Sequence, residues 1–287
     1  MSEWKVGIVI NTSSGGYDSE CEDEMRDIVK NAGIVEPKIW CDEADQIERS
    51  FTQAAREKLD VLIALGGDGT VRKAAEACSA QGRYLIPLPG GTMNMLARAL
   101  YGNMSWQDAL NKTLAAPSTK VLSGGHVANK QFFIAAIVGA PTLWAEARES
   151  IRERDIGNAI KKGTIAFQKM FKTKVRYFIS RVKKGEAEGV AVICPLVSEE
   201  MSDSEQGLEA AAIEVENVAE VIGVLTAAAF GKWRDARNVL LTKTNWLHVQ
   251  SSKDIPAILD GEKVNLGRSA KINFVSKAVT VLVPASG

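Results

Sequence analysis

Residues Val61 to Leu65 are five consecutive apolar residues that stop abruptly at Gly66-Gly67-Asp68-Gly69-Thr70, before a helix-like run from Val71 to Ala77. An apolar run without alternation suits a strand buried on both faces, as in a parallel sheet covered by helices. Glycines between strand and helix let backbone amides approach a phosphate closely, with the positive end of the helix behind them. Asp68 does not fit plain anion binding, because its charge repels a phosphate. It does fit if a metal ion or a protonated hydroxyl lies between them. The chemistry indicated is phosphoryl transfer from a nucleotide. The turn is not a Walker A loop, since no lysine follows its last glycine, and it lacks the GxGxxG spacing of a dinucleotide fold.

Around this strand, residues 1–124 alternate strand and helix signals at the spacing of βαβ units. Strands are predicted at Lys5 to Ile10, Glu36 to Cys41, Val61 to Leu65 and Tyr84 to Leu88. Helices are predicted at Ser19 to Ala32, closed by Gly33, at Asp45 to Lys58, from Val71 to near Ala80, and at Met93 to Leu100. From about Gly124 the texture changes to short strand-like runs at 131–138, 174–182, 189–194, 211–215, 245–250 and 270–274. The expected fold is α/β: an N-terminal parallel-sheet nucleotide-binding domain over 1–124, then a mainly β, sandwich-like domain over 125–277. Residues 278–287 are expected to return to the first domain as a strand. Ligands of such a parallel sheet lie at the strand C-terminal ends.

Composition narrows the partners. A formal net charge of +0 argues against a general nucleic-acid binder, which needs a basic excess. Cys21, Cys41, Cys78 and Cys194 form no CxxC pair, which suits reduced thiols rather than a disulfide frame or a zinc site. No signal peptide is evident, and no run is long enough to span a bilayer; Val218 to Phe230 is too short and contains Glu220. Charge is nevertheless segregated. Ile160 to Lys184 holds nine Lys or Arg and no acid, interleaved with aromatic residues, whereas Glu199 to Glu220 holds eight acids and no base. The basic stretch is expected either to meet anionic headgroups or to be a solvated face. His126 and His248 have no ligand-like spacing, and the six tryptophans read as core or interfacial anchors.

Two further glycine turns support the first. Pro89-Gly-Gly-Thr92 follows the next strand and opens Met93-Asn94-Met95, so Gly91, Thr92 and Asn94 should lie near Asp68 on one sheet edge. Asn11-Thr-Ser-Ser-Gly15 ends the first strand and would add Asn11, Ser13, Ser14 and Gly15 to that edge. As a plain structural alternative, Thr92 caps a helix and the Asn-Ser-Gly segment is an ordinary turn. Far downstream, Leu259-Asp-Gly-Glu262 reads by itself as a hairpin turn between Ile255–Leu259 and Val264–Leu266.

The Asn-x-x-Ser-Gly turn, Gly-Gly-Asp-Gly-Thr and Pro-x-Gly-Thr-x-Asn-x-x-Ala-Arg together resemble the diacylglycerol kinase catalytic-domain family, which includes bacterial lipid kinases and, more distantly, sphingosine and ceramide kinases. That family shares the Gly-Gly-Asp-Gly turn with NAD kinases of the same superfamily. The resemblance implies an ATP-dependent lipid kinase. The phosphates of ATP would rest on Gly66, Gly67, Gly69 and the neighbouring turns. Mg²⁺ would be held to Asp68 through water, and Thr70, Thr92 and Asn94 would orient the phosphates or nucleoside. Asp260-Gly-Glu262 would supply the base for the acceptor hydroxyl, with Asp260 preferred over Glu262. The resemblance also implies a cytoplasmic protein working at the inner membrane face, on a lipid partner, with a second copy of the chain as a further option.

Several positions depart from the family pattern. A structural Mg²⁺ site would call for an Asp-Asp-Gly turn, where this chain has Glu205-Gln206-Gly207. Asp203 and Glu205 are the nearest carboxylates, so that site is weakened. A Gly-Phe-Asp-like turn reads Gly139-Ala140-Pro141, and Cys41-Asp42 stands where a nucleotide-contacting threonine is usual. The alternatives are an NAD-kinase-like enzyme, or a nucleotide- or lipid-binding regulatory protein that has lost catalysis.

Overall fold

The computed structural model describes residues 4–139, 174–179, 183–202, 205–213 and 239–285. The chain divides into two compact units, Met1–Ser123 with Ser276–Gly287, and Gly124–Val275.

In the first unit, β1 (Val6–Asn11), α1 (Cys21–Asn31), β2 (Lys38–Asp42), α2 (Ile47–Arg56), β3 (Val61–Gly66), α3 (Asp68–Gln81), β4 (Tyr84–Pro89) and α4 (Met95–Tyr101) alternate as the sequence pattern requires. Every residue of β1 and β3 is buried, which is the reason these two strands are apolar throughout rather than alternating. Helix α1 buries Cys21, Met25 and Val29, one face at four-residue spacing. It stops where Gly33 takes φ 80, with Gly33 N–H donating to Lys30 O and Ile34 N–H to Val29 O, the paired bonds of a Schellman ending. A helix not anticipated from the sequence, α5 (Trp106–Ala115), follows α4; the Ser105 side chain accepts from Asp108 N–H at 3.0 Å and caps it.

The strands are parallel in the order β2-β1-β3-β4. The last strand, here numbered β16 (Ser269–Pro284), returns to this unit, where Thr280 and Val281 lie parallel beside Tyr84 and Leu85. The core joins strand residues such as Ile8, Ile63 and Ile86 to Met25, Trp106, Leu110 and Leu282.

The second unit is almost wholly antiparallel. Strand β5 (Pro117–Val127) leads into it and pairs with β6 (Lys130–Phe132). Then come β7 (Ala135–Gly139), β8 (Val175–Phe178), β9 (Lys184–Ala187), β10 (Gly189–Ile193), β11 (Leu208–Ile213), β12 (Val239–Thr244), β13 (Trp246–Gln250), β14 (Pro256–Leu259) and β15 (Glu262–Asn265). One sheet runs β12-β11-β10-β7-β14-β15. In the other, β13 lies between β8 and the first part of β16, and β9 pairs with β8. Phe132, Tyr177, Val190, Leu247, Leu259 and Ile272 belong to one buried core. The α/β plus mainly β architecture thus matches the expected fold class. Strands β5, β9 and β12 were not foreseen.

Candidate functional site

The strand order β2-β1-β3-β4 means that the chain leaves β1 to one side and returns to the other, so a topological switch point lies between β1 and β3. In open α/β sheets the crevice at the strand C-terminal ends beside that point is where ligands bind. Here those ends are Asn11 and Gly66. The Asn11 side-chain amide donates to Thr70 Oγ1 at 2.9 Å, spanning the switch point. Both residues are buried, Asn11 at 8% and Thr70 at 5% exposure. Asn11 also organises its own turn: Oδ1 accepts from Ser13 N–H at 3.0 Å, and its backbone carbonyl accepts from the Ser14 hydroxyl at 2.7 Å.

The three glycine turns meet through main-chain atoms. Gly16 N–H donates to Gly90 O at 2.7 Å and Gly90 N–H to Gly66 O at 2.9 Å. A Cβ on Gly90 would lie 2.8 Å from Gly66 N, and one on Gly91 would lie 2.5 Å from Gly67 Cα. A Cβ on Gly66 would fall 2.6 Å from Thr70 Cβ. Gly90 and Gly91 are therefore required by the contact of one turn with another, and Gly66 by the Thr70 side chain of its own turn. By contrast, nothing lies within 4 Å of a Cβ built on Gly15, and Gly67 would meet only Gly91 Cα at 3.7 Å. Gly15 and Gly67 are the places where the edge is open.

Asp68, the residue that plain anion binding could not explain, joins the second turn to the third. Its Oδ2 accepts from Asn94 N–H at 3.0 Å and its Oδ1 from Met95 N–H at 2.5 Å, so it caps α4 from outside that helix. Asn94 sits at φ 51 and clamps Gly91, accepting from its N–H and donating to its carbonyl, both at 2.7 Å. Sequence reasoning placed Asp68 and Asn94 together but did not foresee the cap. Thr92 is exposed, as are Ser13 and Gly15, whereas Thr70 is buried behind the edge.

The residues present fit a nucleotide phosphate with Mg²⁺. The first turn of α3 presents N–H groups with no intrahelical acceptor, beside the open Gly67. Asp68 is the carboxylate at this edge, the residue type that would hold Mg²⁺ there through water. No cluster of three or more metal-ligating side chains occurs among the described residues.

Beside this edge, Cys41 at the end of β2 donates its thiol to Glu22 Oε2 at 3.5 Å. Burial first, then Glu22, pushes that thiol up to about 12, and burial pushes Cys21 up to about 11. Both are thiols at neutral pH, so neither offers a nucleophile. Asp42, in register with Asn11, accepts from the buried Ser50 hydroxyl at 2.6 Å.

In the second unit, Asp260 (φ 46) and Gly261 (φ 89) form the two-residue turn joining β14 to β15. The Asp260 side chain does not project into solvent. It is 5% exposed, and it accepts from Phe133 N–H at 2.7 Å and from Ile134 N–H and Ala135 N–H at 2.9 Å each. Glu262, two residues on, is exposed. The buried Cys194 thiol, 3.8 Å from Phe132 O, is driven well up by burial and then by the Asp260 charge. Glu205 is neutralised by protein: its carboxylate accepts from Lys243 Nζ at 2.8 Å and Ser202 N–H at 3.1 Å, and those bonds hold its pKa down. Asp203, Ala140 and Pro141 lie outside the described residues, as do Val218 to Phe230, Trp233 and most of the basic stretch from Ile160 to Lys184.

Residues 5–124 match a model described as the diacylglycerol kinase catalytic domain. Over that segment the chain resembles the diacylglycerol kinase catalytic-domain family. Similarity extends beyond it. A Staphylococcus aureus (strain JH9) protein named diacylglycerol kinase is 26% identical over 288 residues, covering 95% of this chain and 89% of the relative. A solved Bacillus anthracis structure described as a diacylglycerol kinase superposes with a TM-score of 0.68 at 14% identity, over 98% of this chain and 97% of that one. A further Bacillus anthracis structure, provisionally given the same name, has a TM-score of 0.74 at 18% identity over the same shares. At those identities the structural matches speak to fold, and they extend family-like architecture over both units.

Proposed function

We propose that this chain is an ATP-dependent lipid kinase that transfers the γ-phosphoryl group of ATP to a hydroxyl of diacylglycerol or a related lipid. The observation that carries this reading is the convergence of three glycine turns at the switch point of the first unit, locked by Asp68, in a chain that resembles this family. The name of the Staphylococcus aureus relative favours diacylglycerol among the acceptors.

On this reading the nucleotide phosphates lie over Gly15 and Gly67, against the Gly15 N–H and the first turn of α3, whose dipole favours negative charge. Mg²⁺ bound there neutralises phosphate charge, and Asp68 is the residue that would hold it, through water. Phosphoryl transfer asks the protein mainly to position reactants and offset charge, so a rigid backbone edge suffices on the donor side. On the acceptor side the alcohol must lose its proton as it attacks. The Asp260-Gly-Glu262 turn supplies two carboxylates. Asp260 is engaged by three amides and fixes the Phe133–Ala135 segment, so the geometry favours the exposed Glu262 as the group that takes the proton.

The test is transfer from radiolabelled ATP to extracted lipids, with Asp68→Ala as the control. Label should enter a lipid with the wild-type protein, and Asp68→Ala should abolish it. Equal labelling by the two proteins removes the site assignment, and label entering NAD but no lipid gives the protein the other specificity.

A further inference from the structure

The second unit carries a polar concavity that the phosphoryl-transfer reading leaves unused. Strands β9, β8, β13 and β16 form one antiparallel run, and alternation sends Val175, Tyr177, Leu247, Val249 and Ile272 into the core. The residues between them line up on the outer face. One row across the four strands is Glu186, Arg176, Gln250 and Ser269; the next is Lys184, Phe178, His248 and Lys271. At the first row a cavity of about 560 Å³ opens, lined also by Lys174, Arg268, Ser251 and Ser252.

Cations outnumber acids around this opening. Arg176 lies 3.2 Å from Glu186, and Lys174 lies 3.7 Å from Glu188, a carboxylate only 1% exposed. Arg268 enters no ion pair among the described residues, and Lys271 is spent on an aromatic ring, its Nζ 5.8 Å from the Trp246 centroid. The Ser251 hydroxyl donates to Lys174 O, and Ser269 Oγ pairs with His248 Nε2. The donors facing the opening are therefore Arg268, Arg176 and Lys174 with Ser252 beside them, a cationic concavity suited to a phosphate. The adjoining row is different in kind. The Phe178 and His248 rings lie 5.9 Å apart, and Phe178 and Trp246 are half-buried, presenting apolar edges beside charge. Free phosphate would use only the donors. A bilayer surface uses both rows, because aromatic side chains settle at headgroup depth while basic ones meet anionic lipid.

We propose that this outer face of the second unit docks on an anionic bilayer, with the cavity taking the phosphate of one phospholipid headgroup. The proposal extends the lipid-kinase reading, which supplies the reason for a bilayer partner, but it stands on residues outside the candidate catalytic groups.

The experiment is vesicle co-sedimentation of the full chain. One set of vesicles is phosphatidylcholine alone; the other is equal parts phosphatidylcholine and phosphatidylglycerol. The wild-type protein should bind the mixed vesicles only, and binding should weaken with added salt. Arg176→Gln with Arg268→Gln, both exposed positions, should lower that binding on the order of 30-fold, at about fivefold per basic residue lost. Trp246→Ala should lower it by a smaller factor at high salt as well, where charge alone is screened. Equal binding to both vesicle types, or unchanged binding by the double variant, overturns the proposal. So does complete displacement by glycerol 3-phosphate with no loss in Trp246→Ala, which makes the cavity a site for a free phosphate ester. Kinase assays on lipid in detergent micelles separate the two readings. There the double variant should match the wild type, and a wild type inactive on every lipid yet bound to mixed vesicles would fail as a kinase while this surface stood.

Discussion

The side-chain amide of Asn11 donates to the Thr70 hydroxyl at 2.9 Å, tying the loop after β1 to the first turn of α3 at the point where the sheet reverses its direction of growth. Both groups are buried, so the bond is shielded from water and its loss is felt by fold and site together.

Asn11→Ala should therefore destabilise the protein by about 1–3 kcal/mol, because it strips partners from Thr70 and from Ser13 N–H. Urea denaturation reads this as a lower midpoint. Asn11→Asp should be milder for stability, since it keeps the acceptor for Ser13 and the Thr70 hydroxyl can turn to donate. It should weaken ATP binding more than Asn11→Ala does, because it adds negative charge at the edge. Equal ATP affinity in the two variants would move the phosphates away from this turn.

The glycines make a sharper contrast. A Cβ on Gly91 would stand 2.5 Å from Gly67 Cα, a backbone atom that cannot swing aside, whereas a Cβ on Gly67 finds its nearest neighbour at 3.7 Å. Gly91→Ala should lower the melting temperature, with a cost of about 1–3 kcal/mol for the enforced backbone shift. Gly67→Ala should fold normally but lose ATP protection against proteolysis, since it obstructs the open part of the edge. Normal ATP protection in Gly67→Ala would place the nucleotide elsewhere.

At the β14–β15 turn, the two carboxylates should separate cleanly. Asp260→Asn sets an amide NH₂ against backbone N–H groups and should cost about 1–3 kcal/mol in stability. Glu262→Gln, at an exposed position, should leave stability within about 0.5 kcal/mol while reducing kcat by 10²- to 10⁴-fold. If Glu262→Gln retains full turnover and a folded Asp260→Asn does not, the base is Asp260.

The raised thiols set an alkaline limit. Cys41 is pushed up to about 12 and Cys21 to about 11, both from 9.0, so the folded state favours their protonated forms. Their contribution to stability is complete below pH 9 and is lost as pH rises towards 11 and 12. The expected outcome is a melting temperature that falls above about pH 9, less steeply in Cys41→Ser. Fast alkylation of Cys41 in the folded protein at pH 8 would show that its thiolate forms there.

Much of the first unit could be read from residues alone, because its signals are local. Unbroken apolar runs at β1 and β3 mark strands covered on both faces, and glycines after them mark a sheet edge. Helix α5 was missed although Ser105 to Asp108 is a recognisable capping pattern. The capping role of Asp68 was not legible, because it depends on the backbone of residues 26 and 27 positions further along. The Asp260 contacts span more than a hundred residues, and in sequence Asp260-Gly261 says only that a hairpin turns there. Strands β9 and β12 escaped notice because their side chains are mixed in character, as befits edge positions.

The turns around Gly16, Gly66 and Gly90 touch peptide against peptide, and the side chains of Asn11 and Asp68 brace that contact. An edge assembled this way has few adjustable parts: a side chain added at Gly90 or Gly91 would displace peptides of a neighbouring turn, and only the open positions such as Gly15 tolerate one without a clash. On the proposed lipid-kinase reading, change in the preferred acceptor would then accumulate in the antiparallel half of the chain, while the glycine-turn half is passed on nearly as a fixed casting.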